Sequence, residues 1–134
     1  MKKNLFCVLL FLLLAACHSG SGTNFEGTYG FLDNGKISPL LRVKQTDHGY
    51  VFFQNQGDQW QQIDDPAKPM TKYDLEALTK HPVTVSVDGL KTSSFALVLV
   101  PKGWSDGDFK TSTGYFAATV LGPVELQKIS NGND

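Results

Sequence analysis

The chain has 134 residues, 12 of them lysine or arginine and 13 aspartate or glutamate, for a formal net charge of −1. Charge this balanced and this mixed leaves no basic stripe, which excludes the clustered Lys/Arg footprint of a nucleic-acid binder. Both cysteines, Cys7 and Cys17, lie at the start of the chain, so the remainder can form neither a disulfide framework nor a thiolate metal site.

Lys2 and Lys3 precede an apolar run from Leu5 to Leu14, and small residues follow it. A charged region, a short apolar region and a small-residue cut are the features of a secretory signal. The run is about ten residues, roughly half of what a helix needs to span a bilayer, so a permanent transmembrane helix is not expected. Leu14-Ala15-Ala16-Cys17 resembles the lipobox of bacterial lipoprotein precursors, with all four positions matching. The resemblance covers residues 1–17. It implies diacylglycerol on the Cys17 thiol, cleavage before Cys17, acylation of the new amino terminus, and a place in the bacterial cell envelope. Removing residues 1–16 from the 134 leaves 118, the size of one domain, with ten basic and thirteen acidic side chains. Several buried acyl chains, at about 0.8 kcal/mol per CH2, give lasting membrane attachment. His18, rather than aspartate, follows Cys17. In the sorting scheme that the resemblance implies, this favours the outer membrane, with the domain facing the periplasm.

Residues 17–24 read as a lipidated flexible tether rich in Gly and Ser. Seven residues beyond the cysteine reach at most about 23 Å, so the domain should sit close to its membrane. Residues 25–129 read as a single β domain and 130–134 as a disordered tail.

From Phe25 the pattern has period two. Phe25, Gly27, Tyr29 and Phe31 share one face of a first strand, and Asp33-Asn34-Gly35 supplies a turn. A second strand runs through Leu40, Leu41 and Val43 with Pro39 at its start, and Thr46-Asp47-His48-Gly49 turns the chain. Tyr50 to Gln54 and Gln59 to Ile63 continue the meander. Prolines between Asp64 and Met70 break it. Thr71 with Asp74 three residues later resembles a capping box and opens a short helix over about 71–80, ending before His81-Pro82. Val83 to Val87 reads as a strand with its valines on one side, Asp88-Gly89 as a two-residue hairpin turn, and Leu90 to Val100 as the return. The run Phe95–Val100 is apolar on both faces, which places it centrally or between two layers. A loop holding Trp104 follows, then strands around Tyr115–Ala118 and Val124–Ile129.

The fold expected is mainly β: a small antiparallel β-barrel or sandwich of seven to eight strands with one short helix. Phe25-Glu26-Gly27-Thr28-Tyr29 resembles the Gly-x-Trp opening of lipocalins, with Tyr29 in place of tryptophan. The resemblance implies a reduced barrel.

No constellation for catalysis stands out, so no catalytic residue, metal or cofactor is expected. His18, His48 and His81 are scattered without metal-ligand spacing. Ser19 and Ser21 sit among glycines of the tether, where no base can be held beside them. Asp106-Gly107-Asp108 lacks the further carboxylates of a calcium loop and reads as a turn. Asp64 and Asp65 read as solvated loop charges. Large aromatic side chains anchor interfaces because they bury much area for few rotors lost. Trp104, with Ser105, Asp106 and Asp108 in the loop from Lys102 to Lys110, is therefore the expected partner-binding site, with a plug of the barrel mouth as the alternative for Trp104, whereas Trp60 reads as core. Small acylated β domains of this kind resemble lysozyme inhibitors and the immunity lipoproteins that neutralise secreted antibacterial effectors. That resemblance implies binding and inhibition of another protein. The alternatives are a lipocalin-like carrier of a small apolar ligand, which needs an unfilled interior, and an envelope structural or assembly lipoprotein.

Overall fold

The computed structural model describes residues 22–132. The expected signal segment 1–16, the expected lipidation site Cys17 and the expected tether as far as residue 21 lie outside the described residues. The described chain forms β1 (Gly27–Asp33), β2 (Lys36–Thr46), β3 (Gly49–Asn55), β4 (Trp60–Ile63), β5 (Lys68–Pro69), α1 (Lys72–Thr79), β6 (Asp88–Lys91), β7 (Ala96–Leu99), β8 (Ser105–Asp106), β9 (Phe109–Lys110), β10 (Tyr115–Thr119) and β11 (Gly122–Ser130). Nine strands make one antiparallel sheet in the order β4-β3-β2-β1-β11-β10-β7-β6-β5, and β8 with β9 makes a separate hairpin. The sheet curls into a half-barrel. β5, β8 and β9 are two-residue pairings; the other eight strands are the longer ones expected of a small barrel.

The concave face holds the main core. Phe25, Tyr29, Leu41, Val43, Phe52, Leu90, Leu97, Ala117 and Leu126 are buried there, with Tyr50, Phe95, Leu99 and Tyr115 packed against them. The period-two alternation from Phe25 onward thus points into the barrel as the sequence predicts. The Tyr29 hydroxyl donates to the Phe25 carbonyl at 2.7 Å, so the largest polar atom brought into this core is satisfied. Burial pushes the Tyr29 phenol far above its ordinary range, which keeps it a donor.

A second layer covers the convex face of β7 and β10. Met70, Leu75, Val83, Ala96, Val98, Val100 and Phe116 are buried together, joined by Val85, Val87, Trp104 and Phe109. β7 therefore lies between two apolar layers, which is why its sequence is apolar on both faces. Helix α1 starts where expected: the Asp74 carboxylate accepts the Thr71 backbone N–H at 2.8 Å, the reach-back half of a capping box. It stops at Lys80, which is left-handed (φ 64) and donates its N–H to the Glu76 carbonyl.

Four expectations are corrected. Val83–Val87 carries no ladder; its valines pack into the layer beside α1, and β6, starting at Asp88, takes the place beside β7. Gly89 is consequently inside a strand opposite Val98, not in a turn. The hairpin turn is at Ser93-Ser94, where the Thr92 N–H donates to the Phe95 carbonyl at 2.9 Å. Pro39 lies within β2 rather than at its start, and is accommodated because the register shifts there: Tyr29 faces Leu41 and Gly30 faces Pro39, leaving Leu40 as the extra residue of a bulge. Finally, Ser130 belongs to β11, paired with Thr28, and not to a tail.

The register fixes two ends of the half-barrel. Thr23 donates its N–H to Asp88, and the Lys128 ammonium donates to the Asn24 carbonyl, so the chain enters beside the start of β6 and the end of β11. The β1–β2, β6–β7 and β10–β11 turns lie at the other end, here called apical. The nine residues of β11 run between the two ends, a span of roughly 26 Å at about 3.3 Å per step.

Candidate functional site

The edge strands of the sheet, β4 and β5, are consecutive in the chain but not paired with each other. Closure is made by one backbone bond, from the Ala67 N–H to the Tyr50 carbonyl at 2.7 Å, and by side chains. Asp64, just past β4, accepts a hydrogen bond from the Ser94 hydroxyl at 2.9 Å and another from the Thr92 hydroxyl at 2.7 Å. The Asp64 backbone sits at φ 58, an unfavourable region for a non-glycine residue that surrounding contacts must hold. Those hydrogen bonds, Ser94 first and then Thr92, hold the Asp64 carboxyl below its ordinary range. Phe95 then reaches into the concave face and stacks on Phe52, ring centroids 4.8 Å apart.

This clamp leaves an apical cleft of about 400 Å3 between the two halves of the sheet. Leu40, Leu41, Ile63, Phe95, Ala117 and Leu126 form its apolar wall, and Gln54, Asp64, Ser94 and Thr119 its polar part. Across Phe95 and Val120 lies a second cleft, also about 400 Å3, lined by Met70, Ala77, Leu78 and Ala118. An ion pair from Lys91 to Asp74 (2.5 Å) borders that second cleft.

Between the clefts stands the tip of the β10–β11 hairpin. Val120 is 94% exposed and Leu121 96%. The turn is held by Thr119, whose hydroxyl donates to the Gly122 carbonyl at 2.8 Å and accepts the Leu121 N–H at 3.1 Å. The geometry needs a hydroxyl at 119 and a glycine at 122 (φ 115); nothing in it needs two large apolar side chains in water. Val120 and Leu121 are the most exposed large apolar side chains among the described residues.

The expected site falls elsewhere. Trp104 is half-buried and lies flat on Phe116, centroids 5.6 Å apart and planes 7° from parallel. Ser105 and Asp106 form β8, and Asp108 lies exposed in the β8–β9 turn. Asp106 accepts from His81 Nδ1 at 2.6 Å, tying this hairpin to the segment after α1. The hairpin lies between Val100 and Gly114, which bond to each other, and none of these four residues lines either cleft, although Trp104 shares its packed layer with Met70 and Ala96 of the second. Trp60 is half-buried on β4, with the Arg42 guanidinium 4.3 Å from its ring centroid. The cleft escaped sequence reasoning because its parts come from distant strands. The Val120-Leu121 pair between Thr119 and Gly122 was the one readable signal, an apolar dipeptide at a hairpin turn.

Among the described residues, no group of three or more His, Cys, Asp or Glu side chains is placed to hold a metal ion. Among the same residues, no helix is long and apolar enough to cross a membrane. The chain matches no protein-family model, no curated protein and no solved structure.

Proposed function

We propose that this chain is a lipoprotein of the bacterial cell envelope, anchored through lipid on Cys17, whose β domain binds and inhibits another protein. The target is a secreted antibacterial effector, for which the chain acts as the immunity protein, or an enzyme of the lysozyme type. The observation that carries the reading is the bare Val120-Leu121 tip between two apolar clefts. Two further features support it. Phe25, Tyr29, Phe52, Leu97 and Leu126 fill the concave face, leaving little interior for cargo. A lipid on Cys17 would hold the tether end at the outer membrane and turn the apical end toward the periplasm.

A second reading, carriage of a small apolar ligand, draws on the apical cleft itself, whose volume falls within the range of small-molecule sites. Purification of the full-length chain in detergent from the native envelope, with and without a secreted-effector fraction, separates the two. Inhibitory binding requires one enzyme at equal stoichiometry whose activity falls on adding the chain. A protein-free preparation carrying an apolar small molecule by mass spectrometry supports the carrier instead. The same mass spectrum tests the anchor, because Cys17→Ser must remove the acyl mass.

A further inference from the structure

Resting on the reading that the domain captures another protein, we propose that the apical cleft takes a segment of that protein in which an arginine or lysine side chain sits between apolar side chains.

The cleft combines two recognition elements. Its wall is apolar, built from Leu40, Leu41, Ile63, Phe95 and Leu126. Asp64 is the one charged residue in its lining, and Gln54, Ser94 and Thr119 are neutral. Among the described residues no lysine, arginine or histidine pairs with Asp64. The carboxylate is nonetheless fixed, by the Thr92 and Ser94 hydroxyls and a left-handed backbone. A carboxylate offers about four lone-pair sites. The Thr92 and Ser94 hydroxyls use two, the Ser94 N–H and the Ser93 hydroxyl also act on it, and what stays open is the solvent-facing side of this exposed group. A guanidinium or ammonium can take the rest as a charge-assisted hydrogen bond, without first having to order its acceptor.

The competing ligand chemistries fit less well. A wholly apolar group covering the cleft would strip water from the carboxylate and give it no counter-charge, leaving it its present donors alone. An acidic group would meet like charge. A compact amine satisfies Asp64 but fills only one cleft, whereas the second cleft shares Ser94, Phe95, Thr119 and Val120 with the first. A surface continuous across both suits a polypeptide laid over Phe95 and Val120. The acid excess of residues 17–134 favours encounter with a basic partner as well.

The test applies full-length protein in non-ionic detergent to an array of hexapeptides that carry arginine, lysine, citrulline or acetyl-lysine between leucine and phenylalanine. The arginine and lysine peptides should retain at least tenfold more protein than their neutral counterparts, and Asp64→Asn should erase that preference. Because Asp64 also holds Thr92 and Ser94, Gln54→Lys serves as a second variant. It sets a cation in the cleft while leaving the clamp intact, and should erase the preference at an unchanged melting temperature. Equal retention of charged and neutral peptides overturns the proposal, as does no retention of any peptide, or a preference that survives Gln54→Lys. Dodecylamine occupying the cleft when every peptide fails also overturns it. A partner protein that co-purifies equally well with Gln54→Lys leaves protein capture standing and removes the basic segment alone.

Discussion

Phe52 of β3 and Phe95 of the β6–β7 turn stack at 4.8 Å between centroids, with their planes 28° apart. They belong to the two halves of the curled sheet that share no ladder across the gap, so this stack joins the Asp64 hydrogen bonds and the Ala67 N–H to Tyr50 carbonyl bond in closing it. Aromatic pairs of this kind contribute about 0.5–1.5 kcal/mol beyond burial. A double-mutant cycle of Phe52→Leu and Phe95→Leu, read by urea denaturation, should return a coupling in that range. Phe52→Ala alone should cost about 3–5 kcal/mol, since its ring is fully buried. A coupling of zero would mean the halves close by other means.

The position of Gly89 decides between two hairpins. In a turn after Asp88, residue 89 would tolerate any side chain suited to positive φ. In β6 it faces Val98, and a Cβ there would lie 2.7 Å from the Leu97 carbonyl oxygen and 3.3 Å from Met70. Gly89→Ala should therefore destabilise by about 1–3 kcal/mol through overpacking. Gly107→Ala, at φ 59 with open space around it, should cost about 1 kcal/mol or less. Equal small losses at both sites would restore the turn at Asp88-Gly89.

That glycine also shows what the sequence could and could not reveal. Local patterns carried well: Tyr29 and Phe31 of β1 and Phe25 just before it face the core, Asn34-Gly35 turns, Thr71 and Asp74 open the helix, and the doubly apolar Phe95–Val100 lies between layers. The error at Val83–Val87 was one of competition. Alternating valines fit a strand, but also fit a segment laid against a helix and sheet, and only the tertiary choice of β6 as partner of β7 separates them. The candidate site was legible in a single turn. Asp64 reads as a solvated charge and is exposed, but its partners, Thr92 and Ser94, lie about thirty residues away across the sheet gap, where no local pattern shows them.

Trp104 was expected to be an interface anchor, and its stacking on Phe116 gives it a packing duty first. Trp104→Ala should lower stability by about 2–3 kcal/mol, below the value for a fully buried ring because Trp104 is only half-buried. Ser105→Ala and Asp108→Ala, both at exposed positions, should stay within about 0.5 kcal/mol of the parent. Chemical denaturation of the three variants checks this. A Trp104→Ala protein of full stability would return the residue to the surface and to its expected role.

Acid should act through two fixed carboxylates. Asp64 is held below the ordinary aspartate range by Ser94 and Thr92, and Asp74 by the Lys91 ammonium and then the Thr71 N–H. A carboxyl with a depressed folded pKa contributes stability that is complete above its unfolded value, about 3.9, and drains away as pH falls through the folded value. Melting temperature should therefore decline from about pH 4 downward, with the unfolded chain taking up protons first. Asp74→Asn should flatten that decline while leaving the profile from pH 5 to 7 parallel to the parent. An unaltered slope would show that the Asp74–Lys91 pair is not formed in solution.

The last prediction separates binding from folding. Val120 and Leu121 bury almost nothing of their own surface, so removing their apolar atoms withdraws little from the core. Val120→Ser with Leu121→Ser should leave the melting temperature unchanged or slightly raised, and lower the uptake of a hydrophobic fluorescent dye. Thr119 and Gly122, which hold the turn, are untouched by the change. If the tip is the contact surface, affinity for a captured partner should fall at least tenfold, because an apolar anchor lost from the centre of an interface is worth well over 1 kcal/mol. The control is Thr119→Val, which keeps the tip apolar but removes the hydroxyl that holds it. Weaker binding in both variants places the recognition in the shaped hairpin. Weaker binding in the serine variant alone places it in the apolar side chains regardless of the turn. Undiminished binding in the serine variant moves the partner off the apical end altogether.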